Sequence, residues 1–262
     1  MIMFWDCFNI TAIGNSNPKG KKEIYGYNKI YALLLIALYL VIPTSHLFAA
    51  VGCTLNNPAR DLKALFPEMT SYVEEIKELS KYPNGKELYD LLKKRVGGEL
   101  DPIYEQFDTP YTLYSVFRDK ELIAYVHGVN VPGKSGVIQI FISVEPVKAT
   151  IKHFFFQRFE SPWSKLLRID SLRSKFVGLS LADFYKHDYF KTTGETNNMD
   201  KVSLITPPDN LPSQAVSDWQ TIMRGIRKNL ILLDFFVFDR KHDPFYERAE
   251  LLLKQKGDKN EN

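Results

Sequence analysis

Two hydrophobic periods share the chain beyond residue 53, and the change from one to the other falls at Tyr111. Leu62, Leu65, Phe66, Met69, Val73, Ile76 and Leu79 recur at helical spacing, but Pro67 ends any helix that begins near Pro58, because proline lacks the N–H a helix interior needs. The stretch after it is left open between helix and strand. Asn84-Gly85 opens a second helix, Lys86–Val96, with Leu88, Leu91, Leu92 and Val96 on one face and Gly97-Gly98 as the stop. From Tyr111 the period is two. Tyr111–Phe117, the turn Arg118-Asp119-Lys120-Glu121 and Leu122–Val131 read as a hairpin, and a second turn, Asn130 to Gly136, leads to strands Val137–Val144 and Ile151–Phe159. Four strands in hairpin order predict an antiparallel sheet. Downstream, Ser180–Tyr185 reads as helix, Met199–Ile205 as a short extended piece and Pro207–Pro212 as loop. Trp219, Ile222, Met223, Ile226, Leu230 and Leu233 line one face of a long helix, with Ser213 or Ser217 as its cap. The expected class is α+β: an antiparallel sheet of about four strands with helices on one side.

Upstream of this pattern, Ile30–Gly52 carries no charged residue. Lys19, Lys21, Lys22 and Lys29 outweigh Asp6 and Glu23 before it, and Ile30–Ile42 has the length of a signal-peptide core. Pro43, Thr44 and Ser45 break the run, and Phe48-Ala49-Ala50-Val51-Gly52-Cys53 places small residues third and first before a cysteine. This resembles a bacterial lipobox, with Ala50 where that pattern prefers Leu, and makes Cys53 the lipid-attachment candidate. Two other readings stay open: an uncleaved anchor, since Ile30–Cys53 just spans a bilayer of ~30 Å, and ordinary signal cleavage. All three give an extracytoplasmic protein of the bacterial cell envelope, periplasmic if it faces that space, held at the membrane in the first two.

The two cysteines agree with export: Cys7 lies before the apolar run, so the chain beyond it holds Cys53 alone and no intrachain disulfide. A net charge of +3 falls as +2 before the run and +1 after it, and no basic stripe with interleaved aromatics occurs, which argues against nucleic acid as partner. The organisation expected is a signal peptide or anchor at 1–53, a helical region at 54–110, the sheet-containing domain at 111–240, and a C-terminal helix with polar tail at 241–262.

Motifs of covalent or nucleotide chemistry are missing: there is no Gly-x-Ser-x-Gly elbow, Walker loop or Gly-x-Gly-x-x-Gly turn, and His127, His153, His187 and His242 have no metal-ligand spacing. No catalytic or metal residue is assigned. Asp101, Glu105, Asp108, Glu160 and Asp183 read as solvated turn carboxylates, and His127 as either a site residue or a strand-edge residue. Lys152, Arg158, Lys165, Arg168, Arg173 and Lys175 gather cations around one connection that reads first as a solvated basic loop and second as a phosphate site. Tyr111, Tyr114, Phe154, Phe155, Phe156 and Phe159 read first as core and second as a contact face.

Taken as a unit, residues 111–216 resemble the FMN-binding domain of the electron-transport subunits that carry covalently bound flavin. The resemblance lies in Gly136-Val137-Ile138 opening a strand, Glu160-Ser161-Pro162 after the next one, Phe176-Val177-Gly178, then Asp200-Lys201-Val202-Ser203-Leu204-Ile205-Thr206 and Ala215-Val216 at a helix start. It implies that Thr206 takes the flavin phosphate as a phosphoester, that Asp200 and Ser203 share its segment, that Glu160, Ser161 and Pro162 lie near the isoalloxazine ring, and that Gly136 is the second glycine of the strand-entry turn. The chain departs from the family at three places. Leu204-Ile205 replaces a Gly-Ala pair, Pro207 and Pro208 remove two N–H donors beside Thr206, and Trp163 replaces a glycine. The resemblance implies a membrane-anchored FMN-binding protein, covalent at Thr206 or non-covalent, taking part in electron transfer with a redox partner protein. The alternative is a flavin-free envelope lipoprotein that acts as a binding or scaffold module.

Overall fold

Asn57 opens the first helix by accepting the Arg60 amide at 3.1 Å on its side chain, and Pro58 supplies a preset φ at the first helical position. In the computed structural model, which describes residues 52–168, 170–186 and 201–243, this helix is α1 (Pro58–Leu65), and the chain leaves it at Phe66, just ahead of Pro67. The open stretch after Pro67 is a strand, β1 (Ser71–Lys77). A 3-10 turn at Leu79–Lys81 leads to α2 (Gly85–Val96), which stops at Gly97 in the left-handed region, φ 75°. The strands β2 (Tyr111–Arg118), β3 (Glu121–Gly133), β4 (Gly136–Val144) and β5 (Ile151–Phe159) follow as an antiparallel meander.

The sheet therefore has five strands in sequence order, not four, because β1 pairs with β2 from Ser71 opposite Phe117 to Lys77 opposite Tyr111. This pairing makes the 54–110 region part of the same sheet as the residues after it.

Both faces are covered. On one, Leu113, Val129, Val131, Ile140, Ile142 and Phe154 pack beneath the long helix α6 (Val216–Val237) and α2. On the other, Tyr114, Val116, Ala124, Val126 and Phe141 pack beneath Cys53, Leu55, Leu62, Phe66 and Met69, so the helices are not confined to one side. Burying each of these larger side chains contributes about 1.5–3 kcal/mol against conformational entropy. Tyr111, Tyr114, Phe154, Phe156 and Phe159 all lie in this core, as their first reading expects.

Between β5 and α6 come α3 (Ser164–Leu167), α4 (Asp170–Ser174) and α5 (Leu181–Lys186). The Ile151 amide donates to Leu179 O at 2.8 Å and the Gly178 amide to Ile151 O at 2.9 Å, so this segment closes the start of the β5 edge. Two expectations are corrected here. The described part of 199–205 is a 3-10 turn at Val202–Leu204, not an extended piece, and neither Ser213 nor Ser217 caps α6, whose flanking residue is Ala215 after a 3-10 turn at Ser213–Ala215. The segments at 1–51 and 244–262 lie outside the described residues, and with them the apolar run and most of the expected C-terminal helix. Among the described residues, no helix is long and apolar enough to cross a membrane.

Candidate functional site

Leu172 and Lys175 sit one turn apart at the end of α4, which points both toward the loop after the Val202–Leu204 turn. There they line an open groove of about 440 Å³ together with Thr206, Pro207, Pro208, Asp209 and Asn210. That volume is within the range of small-molecule sites. Lys175 Nζ donates to Thr206 O at 3.2 Å and to Thr206 Oγ1 at 3.3 Å. The 3-10 turn decides where the two bulky residues before Thr206 go: Leu204 is 65% exposed and Ile205 packs against the main core, so neither lines the groove. Ser203 is half-buried within that turn, and Asp200 lies outside the described residues.

A second group forms around Asp218, in the first turn of α6 and 1% exposed. Ser161 Oγ donates to Asp218 Oδ2 at 2.5 Å, and the Lys134 amide reaches Asp218 Oδ1 at 3.4 Å. The Trp163 amide donates to Ser161 Oγ at 3.1 Å, and Trp163 itself packs half-buried against the core. Gly136 stands beside them with φ +136°, a conformation that favours glycine, and a Cβ there would lie 3.8 Å from Glu160 Oε2, an ordinary contact. Glu160 Oε1 accepts from Arg158 Nε at 2.9 Å in an exposed pair. Pro162 is exposed between Ser161 and Trp163.

The residues singled out in the sequence thus fall into two groups: Gly136, Glu160, Ser161 and Pro162 near Asp218, and Thr206 with Lys175. Asp218, Leu172 and Asn210 were not foreseen. An aspartate one place before an apolar helix face carries no signal of the loop it will bind. Of the six cations gathered in sequence, the groove takes Lys175. Arg158 pairs with Glu160, Lys152 Nζ donates to Ile123 O at 3.1 Å, and the Arg168 guanidinium lies over the Phe156 and Phe159 rings, where burial lowers its pKa.

The carboxylates do not form an acid–base pair. Asp101 and Asp183 accept local backbone amides as turn and helix-start residues. Glu105 is not solvated but fully buried: Arg224 Nη1 and Nη2 each lie 2.6 Å from one of its oxygens, and Lys228 Nζ lies 3.4 Å from Oε1. Burial pushes the Glu105 carboxyl up, but these cations overcome it and hold the group below its usual range.

Lys228, also fully buried, donates to Asn130 O at 2.9 Å and Tyr104 O at 3.0 Å, and burial brings its pKa down to about 8. His127 is a core residue, not a strand-edge one. Asn229 donates its amide to His127 O and Ile140 O, so Asn229 Oδ1 accepts from His127 Nδ1–H at 3.0 Å, which leaves Nε2 as the unprotonated, unpartnered nitrogen. Burial lowers the His127 pKa to about 4. This centre is closed and structural in character. Among the described residues, no three His, Cys, Asp or Glu residues are placed to hold a metal ion.

Cys53 is 1% exposed between Leu55 and the Tyr114 face of the sheet, and burial pushes its thiol up to about 12.

No family model and no curated protein matches the chain. Among solved structures, the chain is similar to NqrC of Shewanella oneidensis. The two are 18% identical, the match covers 74% of this chain and 93% of that one, and the TM-score is 0.40.

Proposed function

We propose that this chain is a membrane-anchored, extracytoplasmic protein that binds FMN, or a similar phosphorylated ring, in the Thr206 groove and takes part in electron transfer with a partner protein. The observation that carries this reading is the Lys175 ammonium set 3.3 Å from the Thr206 hydroxyl at the mouth of the groove. An ammonium beside a hydroxyl suits a phosphate group, and Leu172, Pro207 and Pro208 offer an apolar wall to a flat ring.

The donor set fits the phosphate of a non-covalent ligand better than the covalent attachment that the family resemblance implies. Pro207 and Pro208 contribute no N–H, and the Asp209 carboxylate faces the same groove and weakens its pull on anions. Lys175 and Thr206 would hold the phosphate, and the exposed Thr206 hydroxyl is open to a phosphoester. When bound, a flavin supplies the redox chemistry, while the chain supplies position and charge.

A second reading, a flavin-free envelope module, is favoured by one contact. Ser161 is committed to Asp218, and Trp163 folds onto the core, which closes the loop assigned to the isoalloxazine ring.

The deciding experiment is an absorption spectrum of the full chain, purified in detergent from cells that co-express a flavin transferase, before and after acid precipitation. Flavin bands that stay with the pellet and vanish in Thr206→Val establish the covalent form. Bands that stay in solution, with FMN affinity at least about tenfold weaker in Lys175→Glu, establish the non-covalent form. A colourless protein that does not quench added FMN fluorescence supports the flavin-free reading.

A further inference from the structure

The residues that read in sequence as a lipid-processing signal are built into the domain. The Gly52 carbonyl accepts from Asn130 Nδ2 at 2.8 Å, and Asn130 is 2% exposed. A Cβ at Gly52 would lie 2.5 Å from the Pro110 carbonyl oxygen, so the chain is pressed here against the residue that precedes β2. The contacts then alternate along the segment: the Thr54 carbonyl accepts from Gln157 Nε2 at 2.9 Å, the Leu55 amide donates to the Tyr114 hydroxyl at 3.0 Å, and the Asn56 amide donates to Gln157 Oε1 at 3.0 Å. These partners come from β2, β3 and β5, so residues 52–56 run across the sheet on the face away from α6. Cys53 faces inward among Leu55, Leu62, Phe66 and Tyr114.

Processing of a lipobox makes two changes at this point. A thioether to diacylglycerol forms on the cysteine sulfur, and hydrolysis of the preceding peptide bond frees an α-amine that is then acylated. Here the sulfur has no exit from the apolar cluster without displacement of the segment. Cutting after Gly52 would also release the glycine whose carbonyl satisfies buried Asn130, and would place a new charged or acylated terminus in the core.

We propose that residues 52–56 are a structural strap, that the Gly52–Cys53 bond stays intact in the mature protein, and that the Cys53 thiol is a core group and not a lipid-attachment point. The apolar run upstream then remains joined to the domain as its anchor. This inference is independent of the flavin reading, since no strap residue lines the Thr206 groove.

The test uses the full chain, expressed in a bacterium with lipoprotein-processing enzymes and isolated from membranes. Intact mass should match the unprocessed chain, and alkyne-tagged palmitate should not be incorporated. In a Cys7→Ser background, maleimide should modify Cys53 at least roughly 100-fold more slowly in the native protein than after denaturation. A mature chain that starts at any residue from 43 to 53, or palmitate label that disappears in Cys53→Ala, overturns the proposal.

Gly52→Ala gives a second measure. A lipobox accepts alanine at that place, so processing is not blocked, but the strap has no room for a Cβ. A clear drop in the melting midpoint of the isolated protein supports the strap, and an unchanged midpoint overturns it.

Discussion

Arg224 grips Glu105 through both terminal guanidinium nitrogens, each 2.6 Å from a different carboxylate oxygen, where Glu105 has no exposure. The pair fastens the connection between α2 and β2 to the middle of α6, and Lys228 shares the same carboxylate.

Removing one member is therefore expected to be severe. Glu105→Ala leaves Lys228 buried without its countercharge and should cost about 3–5 kcal/mol. Glu105→Gln keeps a hydrogen-bond acceptor and should cost less. Urea titrations of both variants and of Arg224→Ala check this, and loss of under about 1 kcal/mol in Glu105→Ala would contradict the role assigned to the pair.

Two buried groups, His127 and Asp234, pull acid stability in opposite directions. His127 titrates near 4 in the fold, because burial disfavours its charged form, against 6.5 ordinarily. The unfolded chain therefore binds the extra proton, and stability falls as pH drops from 6.5 toward 4, by up to about 3 kcal/mol. Asp234 is raised by burial from 3.8 to about 6, so the folded state binds the extra proton and gains stability as pH falls through that interval. Asp234→Asn should thus steepen the acid loss, and His127→Gln should flatten it. Denaturation midpoints between pH 4 and 7 give both slopes.

The Ser161–Asp218 contact holds the 160–163 loop against the start of α6. Asp218→Ala should cost about 1–3 kcal/mol and leave the Ser161 hydroxyl and the Lys134 amide without that partner. Hydrogen exchange at the Trp163 amide should accelerate in the variant. Unchanged exchange there would show that the loop is held by packing alone.

Gly225 lets α6 pack tightly on the sheet: a Cβ would lie 2.6 Å from Ile140 Cδ1 and 3.1 Å from Val131 Cγ2. Alanine raises helix propensity, but the clash should dominate, at about 1–3 kcal/mol. The compensating double variant Gly225→Ala with Ile140→Val removes the nearest atom and should recover part of the loss. Thermal unfolding of the three proteins measures it.

The sequence alone determined the elements whose signal is local. The four strands from Tyr111 to Phe159 are runs of aliphatic, β-branched and aromatic residues bounded by turns, Pro67 and Gly97 mark helix ends through φ and a missing N–H, and the apolar stripe from Trp219 to Leu233 is wide enough to announce α6. The choice of Thr206 and Lys175 as candidates came from residue type and a family resemblance, and the fold placed them in one groove.

Tertiary structure decided the rest. β1 is an edge strand with Val73 and Ile76 about half exposed, so its own residues do not alternate cleanly, and its pairing with β2 makes it a strand. Glu105 reads as a solvated acid and Asp218 goes unremarked because the groups that allow their burial, Arg224 and Ser161, lie far away along the chain. Cys53 reads as the end of a lipid signal by its neighbours in sequence, and becomes a core residue through Asn130, Tyr114 and Gln157, brought to it from three strands. Backbone conformation and amphipathic period depend on a few adjacent residues. Burial of a charge or a thiol depends on which distant groups arrive to pair with it or pack around it, and only the closed fold supplies those.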